Sequence, residues 1–304
     1  MAHRQICHLN AIFGSLADDL RTLYMEKTHL IGLFLTGLTL IVLVLEIAFG
    51  RHKGVHRPRD FFLMGSSFLI GRILLAPVTA LFTSGVWAFT LGDAYQDSLS
   101  DLPFWAALPL VLLGGELVFY WVHRWAHQPR RFPILWKIYR THHSAPYMNV
   151  LTTFRLNLAW YFIIPAGWAN GLALYLGMTE AVFFYIGMLT IWNTVTHADF
   201  RWDDRIRAST TWGPAFRAFE HVFVSPGIHH THHGYGRDGK SYRNLCTILS
   251  FWDWVFGTLH IPEGRPAHYG VPGHNAHWLE ELAYPLVRMS DTGQGSAAEK
   301  VGAR

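Results

Sequence analysis

The sequence predicts an all-α membrane protein, a bundle of about four to five transmembrane helices with a histidine-rich cap on its cytoplasmic side. Hydrophobic residues make up 51% of the 304 residues and charged residues only 15%, whereas about a quarter of the residues of a soluble domain are charged. Several apolar runs are long enough to cross a bilayer. Histidines recur in short motifs at the ends of these runs, which predicts that the cap forms where helices leave the membrane.

The first two apolar runs are both long enough to cross a bilayer, but only the first is free of interruptions in its interior. Residues 30–49 have the length of a membrane-spanning helix and contain one carboxylate, Glu46, near their end. Residues 61–90 are also long enough, but Arg72 and Pro77 interrupt them. Because a charged side chain is costly in the bilayer, we expect Arg72 either to reach the interface or to face the protein interior.

The remaining apolar runs complete the predicted bundle. Residues 104–122 lead directly into the first histidine motif, and residues 156–194 are too long for one span. The segment "GLALYLGMTEA" in the middle of the longer run predicts a tight turn between two helices. We therefore expect one integral-membrane domain over residues 29–288. Residues 1–28 would form an amphipathic segment on the membrane surface or against the body, and residues 289–304 a disordered tail.

Charges in the connecting loops predict the orientation of the bundle. The loop "RHKGVHRPRD" is basic, "LGDAYQDSLSD" is acidic, and "HRWAHQPRRFPILWKIYR" is basic again. Because basic loops tend to remain in the cytoplasm, the histidine motifs would all collect at the cytoplasmic face. The net charge of +4 is small and lies in these short loops, which indicates membrane orientation and no binding of nucleic acid.

The histidine motifs have a spacing that suits metal binding. His123 and His127 lie four residues apart at the end of a predicted helix, so both side chains project from one face. Three later motifs supply the remaining candidate ligands, which are His142, His143, His197, His229, His232 and His233. Imidazole suits iron, copper, zinc and nickel, and eight imidazoles exceed the needs of a four-coordinate structural zinc. They predict two metal ions with open positions for oxygen or water.

The motifs "HRWAH", "THHS", "SPGIHHTHH" and "SFWDWVFGT", in this order, resemble those of the fatty acid hydroxylase and sterol desaturase superfamily of integral-membrane di-iron enzymes. The resemblance covers about residues 116–258. It implies that the eight histidines are the metal ligands and the catalytic residues, and that His230 stands at a position that is not a ligand. Glu116 matches a carboxylate position of the family, where it would support a ligand from behind or form a buried pair with Arg72.

Two positions depart from the pattern of the superfamily. Tyr139 stands where the middle motif should open with histidine, and Asn193 stands four residues before His197, where some members carry another histidine. Tyr139 could ligate iron weakly, orient a neighbour or pack. Asn193 could act through a bridging water or pack between helices. If both ligand positions are lost, the metal pair would be bound less symmetrically.

The resemblance implies a lipid hydroxylase in which two iron ions activate O2 and attack an unactivated C–H bond, with zinc able to replace iron on purification. The substrate would be a fatty acyl chain, a sterol or an amino-lipid such as an ornithine lipid, entering from the bilayer. A desaturase using the same di-iron centre is the alternative. Because the chain has no HPGG segment typical of a fused cytochrome b5 domain, electrons would come from a separate donor, a ferredoxin or a cytochrome b5-like protein.

Two other classes of protein were weighed against this hypothesis. A zinc-dependent membrane hydrolase could use "HRWAH", but Arg124 occupies the position where the HExxH motif places its general base. A histidine-lined metal transporter would carry its ligands near the bilayer midplane, whereas these motifs lie at helix ends and in loops. Both alternatives fit the pattern less well than an oxygenase does.

Overall fold

The computed structural model describes residues 32–289, and this part of the chain is mostly helical, as predicted. The predicted segment 1–28 and nearly all of the predicted tail 289–304 lie outside the described residues. Contacts divide the chain into two units, Met1–Ile41 and Val42–Arg304. Every contact discussed below lies within the second unit.

Thirteen helices and one short β ribbon follow one another in the described residues. The helices are α1 (Gly32–Ala48), α2 (Pro58–Ser66), α3 (Ala76–Leu91), α4 (Phe104–Ala126), α5 (Pro133–His143), α6 (Trp160–Ile163), α7 (Pro165–Tyr175), α8 (Thr179–His197), α9 (Trp202–Arg207), α10 (Gly213–Glu220), α11 (Pro226–His233), α12 (Phe251–Val255) and α13 (Trp278–Ala283). A π-helical segment, Ser67–Leu75, joins α2 to α3, and single 3-10 turns occupy Gly92–Tyr95 and Val150–Phe154. Strands β1 (Gly234–Tyr235) and β2 (His268–Tyr269) pair antiparallel.

Two continuous helices are long and apolar enough to cross a membrane, Pro58–Tyr95 and Phe104–Ala126. Helix α1 is apolar but shorter. The predicted hairpin is present as α7 and α8. Helix α7 has only 11 residues, because the helical conformation is interrupted at Ile164 and α7 begins at Pro165. A helix of that length is too short to cross a bilayer alone. The number of four to five spans therefore stays a prediction.

The turn between α7 and α8 falls inside the segment in which the sequence predicts it. Gly177 in this turn has a φ of +91°, a backbone conformation that favours glycine. A Cβ added at this glycine would lie about 3.0–3.1 Å from atoms of Asp97 and Ser100. The loop before α4 therefore packs closely on the turn, and this packing holds α7 and α8 beside α4.

Helix α7 packs against both α3 and α4. The approach to α3 is close at Gly171, where an added Cβ would lie 2.3 Å from Thr83 Oγ1 and 3.0 Å from the Ser84 backbone nitrogen. Small residues allow this kind of approach between helices that cannot rely on water to drive them together. The Thr83 hydroxyl also donates to the carbonyl of Gly167 at 3.1 Å, so the two helices are joined by a hydrogen bond as well as by packing.

Arg72 does not pair with Glu116, so that alternative for the two residues is wrong. Arg72 lies in the π-helical segment and donates to Thr190 Oγ1 on α8 at 2.9 Å. π-Helical turns inside α-helices are uncommon and re-aim the side chains that they carry. Glu116 is fully buried on α4 and accepts hydrogen bonds from a distant loop instead.

Candidate metal centre

Four helices bring the eight candidate ligands together at their ends. His123 lies in the last turn of α4, and His127 follows as the residue that caps it. His142 and His143 are the last two residues of α5, and His197 is the last residue of α8. Helix α11 is short and supplies the remaining three, His229, His232 and His233. The C-terminal ends of α4, α5 and α8 therefore meet at α11.

The eight histidines form two groups of four, and in each group the ligand nitrogens all lie within 4.8 Å of one another. The first group consists of His123, His127, His143 and His232. The second group consists of His142, His197, His229 and His233. All are buried except His127, which is half-buried. The sequence predicts these eight residues as ligands, and the structure places each of them in one group or the other.

The doublets His142–His143 and His232–His233 each contribute one residue to each group. Neighbouring residues on an α-helix project about 100° apart, because the helix has 3.6 residues per turn. The ring centroids of His142 and His143 lie 5.6 Å apart, and those of His232 and His233 lie 5.5 Å apart. The two doublets therefore connect the first group to the second through single peptide bonds.

Backbone carbonyls set the tautomers of three of these imidazoles. The Nδ1–H of His123 donates to the Leu245 carbonyl at 2.5 Å, and the Nδ1–H of His232 donates to the Arg243 carbonyl at 2.7 Å. In the second group the Nδ1–H of His197 donates to the Asn193 carbonyl at 2.8 Å. Because a carbonyl can only accept, the proton lies on Nδ1 and the lone pair lies on Nε2. The free lone pair is the one that a metal requires.

The nitrogens that face the centres fit metal ions better than they fit one another. The Nε2 atoms of His123 and His127 lie 3.1 Å apart, and those of His197 and His229 also lie 3.1 Å apart. Among the described residues, Nε2 of His143, His232 and His233 is buried without a hydrogen-bond partner. Buried polar atoms are normally satisfied, so nitrogens that converge without partners indicate a binding site for cations.

Burial keeps these imidazoles in the form that binds metal. It lowers the pKa of His232 from 6.5 to about 4. Burial and then neighbouring imidazoles also lower the pKa of His143 and of His229 well below 6.5. Only the neutral imidazole offers a lone pair, and a metal would not have to displace a proton from these side chains near neutral pH.

Tyr139 lies beside the first group and packs against it. Its ring centroid is 4.7 Å from that of His123, 5.2 Å from that of His143 and 4.4 Å from that of Trp160. Burial raises the pKa of the Tyr139 hydroxyl, so it stays protonated and is a poor ligand. These contacts favour packing among the three roles that the sequence left open.

Asn193 contacts the centre through its backbone. Its carbonyl accepts the His197 hydrogen bond, and this contact does not require an asparagine side chain. His230 lies outside both groups, although it is as buried as its neighbours. Its Nδ1 is 3.3 Å from the Tyr269 hydroxyl, on the side of the β ribbon. The structure therefore places His230 outside the groups that the other three histidines of α11 join, and its exclusion as a ligand stays a prediction.

A buried ion-pair network that the sequence analysis missed holds the start of α11. Arg207 donates to Glu220 and to Asp203, and these three side chains are 4%, 0% and 0% exposed. Asp203 also accepts the backbone N–H of Gly227 at 2.6 Å. Ser225 caps the helix by accepting the N–H of Ile228. The two carboxylates lie near Arg207 in sequence, but nothing in the sequence connects them to α11.

A second buried network fixes the end of α5. Arg155 donates to Asp60 at 2.7 Å, to Glu281 at 2.7 Å and to Ser144 at 2.9 Å. Ser144 directly follows the His-His doublet of α5. Both carboxylates and the guanidinium are buried, so Arg155 offsets part of the negative charge, and Glu281 also contacts His274 at 2.9 Å.

Glu46 also fixes backbone segments near the histidines, by accepting hydrogen bonds from two of them. Its carboxylate accepts the backbone N–H of Val150 at 3.0 Å and that of Asp199 at 2.9 Å. Asp199 lies two residues after His197. From sequence Glu46 is recognisable only as the single carboxylate of an apolar run, and a charge at the end of such a run is the one available signal.

Comparison with known proteins identifies relatives of the region that contains the centre. Residues 108–258 match the protein family described as "Fatty acid hydroxylase". An alkylglycerol monooxygenase of Danio rerio is 30% identical over 186 residues, which cover 59% of this chain and 36% of that protein. The Homo sapiens protein of the same name is 27% identical over 165 residues, covering 52% of this chain and 32% of the relative.

A third relative shows the same limits. The alkylglycerol monooxygenase of Xenopus tropicalis is 27% identical over 171 residues, which cover 53% of this chain and 32% of that protein. The chain thus spans about a third of the length of these curated relatives. No solved structure matches the chain significantly. The matched family region contains all eight histidines of the two groups.

Proposed function

Because residues 108–258 make this chain a member of the fatty acid hydroxylase family, we propose that it is a membrane-bound, O2-dependent lipid hydroxylase that uses two iron ions. The observation that carries the proposal is the pair of histidine groups, four nitrogens to each. Relatives named as monooxygenases and two helices suited to a membrane support the same activity. Iron would supply the activation of O2 and the oxidising power that an unactivated C–H bond requires.

The protein's own residues would hold and orient this centre. The first group would bind one ion and the second group the other, each through neutral imidazoles. The carbonyls of Leu245 and Arg243 keep Nε2 of their histidines free for the metal. Such partners behind the ligands tune metal affinity as well as orientation. The doublets His142–His143 and His232–His233 would supply ligands to both ions from the same two helices.

The surroundings of the first group would exclude water from the reaction. Tyr139 and Trp160 are 4% and 2% exposed; the Tyr139 ring packs edge-to-face against the His123 imidazole, and Trp160 packs against Tyr139. Ile138 and Ala126 belong to the same apolar cluster. A dry wall at this point would prevent side reactions of an activated oxygen species with solvent.

We propose that the substrate is a lipid that enters from the bilayer. The relatives are alkylglycerol monooxygenases by name, so an alkylglycerol is the first substrate to test. A fatty acyl chain, a sterol and an amino-lipid such as an ornithine lipid follow it. The centre would lie at the cytoplasmic face of a multi-pass protein, and a separate ferredoxin or cytochrome b5-like protein would supply electrons.

Metal analysis and product analysis together test this proposal. We expect purified protein to contain about two iron ions per chain, or zinc in their place. Membranes that contain the protein should convert lipid to a product heavier by one oxygen atom, and that atom should come from labelled O2. Loss of two hydrogens would indicate the desaturase. A folded protein without bound metal, or with one zinc ion and hydrolytic activity, would refute the proposal.

A further inference from the structure

We propose that two buried carboxylates, Glu116 and Asp253, position the first histidine group without touching it, by holding the loop whose carbonyls bind His123 and His232. The inference rests on the proposed metal-binding role of the histidines. It assigns a role to Asp253 and Thr258 of the motif "SFWDWVFGT". The carboxylates act as positioning residues, and the loop of residues 243–249 transmits their effect.

The loop needs such support because it has no regular secondary structure. It runs from Arg243 to Leu249, between α11 and α12. Two of its carbonyls nevertheless accept the Nδ1–H groups of His123 and His232 at 2.5 and 2.7 Å. Outside helices and strands no regular ladder fixes a carbonyl, so the partners of the neighbouring backbone N–H groups help to set its direction.

Asp253 holds the part of the loop that faces the histidines. Its two carboxylate oxygens accept the backbone N–H groups of Leu245 at 2.8 Å and Cys246 at 2.9 Å. The hydroxyl of Thr258, the last residue of the motif, donates to the same carboxylate at 2.7 Å. The aspartate and the threonine of the motif therefore form one clamp on the residue that binds His123.

Asn244 lies between Arg243 and Leu245, whose carbonyls accept the histidine hydrogen bonds, and it turns the chain between them. Its φ of +57° lies in the left-handed region, which asparagine adopts more readily than most residues. Its side-chain NH2 donates to the carbonyls of Ile228 at 3.0 Å and His260 at 2.8 Å. Because Ile228 is part of α11, the loop is tied to the helix that carries His232.

Glu116 holds the other end of the loop. One carboxylate oxygen accepts three consecutive backbone N–H groups, those of Thr247, Ile248 and Leu249, at 3.1, 2.8 and 3.1 Å. The other oxygen accepts the Tyr185 hydroxyl at 3.2 Å. Glu116 precedes His123 by seven residues on α4, two helical turns. The same rigid helix thus holds the imidazole and, through Glu116, the loop that orients it.

The two histidine groups should depend on this loop to different degrees. In the first group, two of the four imidazoles donate to its carbonyls. In the second group, the carbonyl that accepts from His197 belongs to Asn193 of the same helix. Loosening the loop should therefore weaken the first metal site and leave the second intact. Loss of such a partner typically reduces metal affinity about 10- to 100-fold.

Metal titration of purified, full-length Asp253→Asn and Glu116→Gln tests the proposal. We expect one of the two Fe2+ sites to weaken about 10- to 100-fold in competition with a chelator, while the other keeps the wild-type affinity. Equal weakening of both sites, or of neither, would overturn the proposal. A wild-type protein that binds fewer than two ions would instead contradict the proposed function.

A double-mutant comparison identifies the affected site. His143→Ala disables the first group and His142→Ala the second, at adjacent positions of one helix. Asp253→Asn should add nothing to His143→Ala, and it should weaken the remaining site of His142→Ala. The reverse pattern would refute the proposal.

Thr258→Val provides a milder variant if either carboxylate variant fails to fold. It removes one donor to Asp253 and leaves both backbone contacts, so the expected weakening is smaller but falls on the same site. His230→Ala is the matched control, since His230 is buried on α11 outside both groups. Unchanged metal binding in a folded Thr258→Val and a folded Asp253→Asn would contradict the assignment.

Discussion

The carboxylate of Asp203 accepts the backbone N–H of Gly227 at 2.6 Å, two residues before the first histidine of α11. The same carboxylate pairs with Arg207, which also neutralises Glu220. A helix of eight residues has little stability of its own, so this contact fixes where α11 begins. The ion-pair network thereby determines the position of three candidate ligands that it does not touch.

Arg207→Met should destabilise the protein strongly, because it leaves the buried carboxylate of Glu220 without a cation, while Asp203 keeps its ion pair with Arg265. Breaking a buried ion pair in this way costs about 3–5 kcal/mol. The expected result is a lower melting temperature in detergent and weaker metal binding at both sites, since α11 serves both groups. Arg205→Met is the control on the same helix, where the side chain is exposed. Similar losses for the two variants would contradict the network's role.

His232→Ala should abolish product formation and lower the metal content, while the protein still inserts into the membrane. The substitution removes one nitrogen from the first group. His230→Ala changes the same helix two residues away and should be much milder. Lipid analysis of expressing cells measures the product, and elemental analysis measures the metal. If both variants lost activity equally, the assignment of His232 as a ligand and of His230 as a residue outside the groups would be wrong.

Tyr139→Phe should keep two metal ions and most of the activity. The phenol ring contacts His123 and Trp160 through its faces and edges, and phenylalanine preserves those contacts. Tyr139→Ala should instead destabilise the protein, because truncating a buried aromatic residue costs about 3–5 kcal/mol. Metal content and thermal unfolding of the two variants distinguish packing from ligation. Loss of a metal ion in Tyr139→Phe would indicate that the hydroxyl is a ligand.

Gly171→Ala should loosen the contact between α3 and α7. The added methyl group would lie 2.3 Å from Thr83 Oγ1 and 3.0 Å from a backbone nitrogen, so one helix has to move. Overpacking of this kind costs about 1–3 kcal/mol. Gly85→Ala on α3 is the control, since its Cβ would meet nothing within 4 Å. Thermal unfolding should separate the two variants, and a neutral result at Gly171 would contradict the close approach.

The candidate ligands could be predicted from sequence because their information is local. Spacing of four residues places His123 and His127 on one face, and short later motifs supply the other histidines, His197 singly. Their assembly into two groups agrees with that expectation, while their metal-binding role stays a prediction. The helical architecture was equally accessible, because apolar runs of sufficient length are visible in composition alone.

The contacts behind the ligands could not be predicted in this way. Glu116 and the backbone of Ile248 are 132 residues apart in sequence, and a carboxylate that binds N–H groups leaves no pattern in the residues that it binds. The expected Arg72–Glu116 pair was wrong for the same reason. Two opposite charges in apolar surroundings suggested a partner, whereas Thr190 and a distant loop satisfy them. The break before Pro165 likewise shortened α7 in a run that composition alone described as continuous.

The doublets His142–His143 and His232–His233 link the two histidine groups through the backbone. Neighbouring Cα atoms are 3.8 Å apart across a trans peptide bond, and one such bond in α5 and one in α11 connect the groups. A rigid-body shift of either helix carries ligands of both groups together. For the proposed lipid substrate, room beside the groups would therefore come from neighbouring walls, such as the aromatic side chains next to Tyr139.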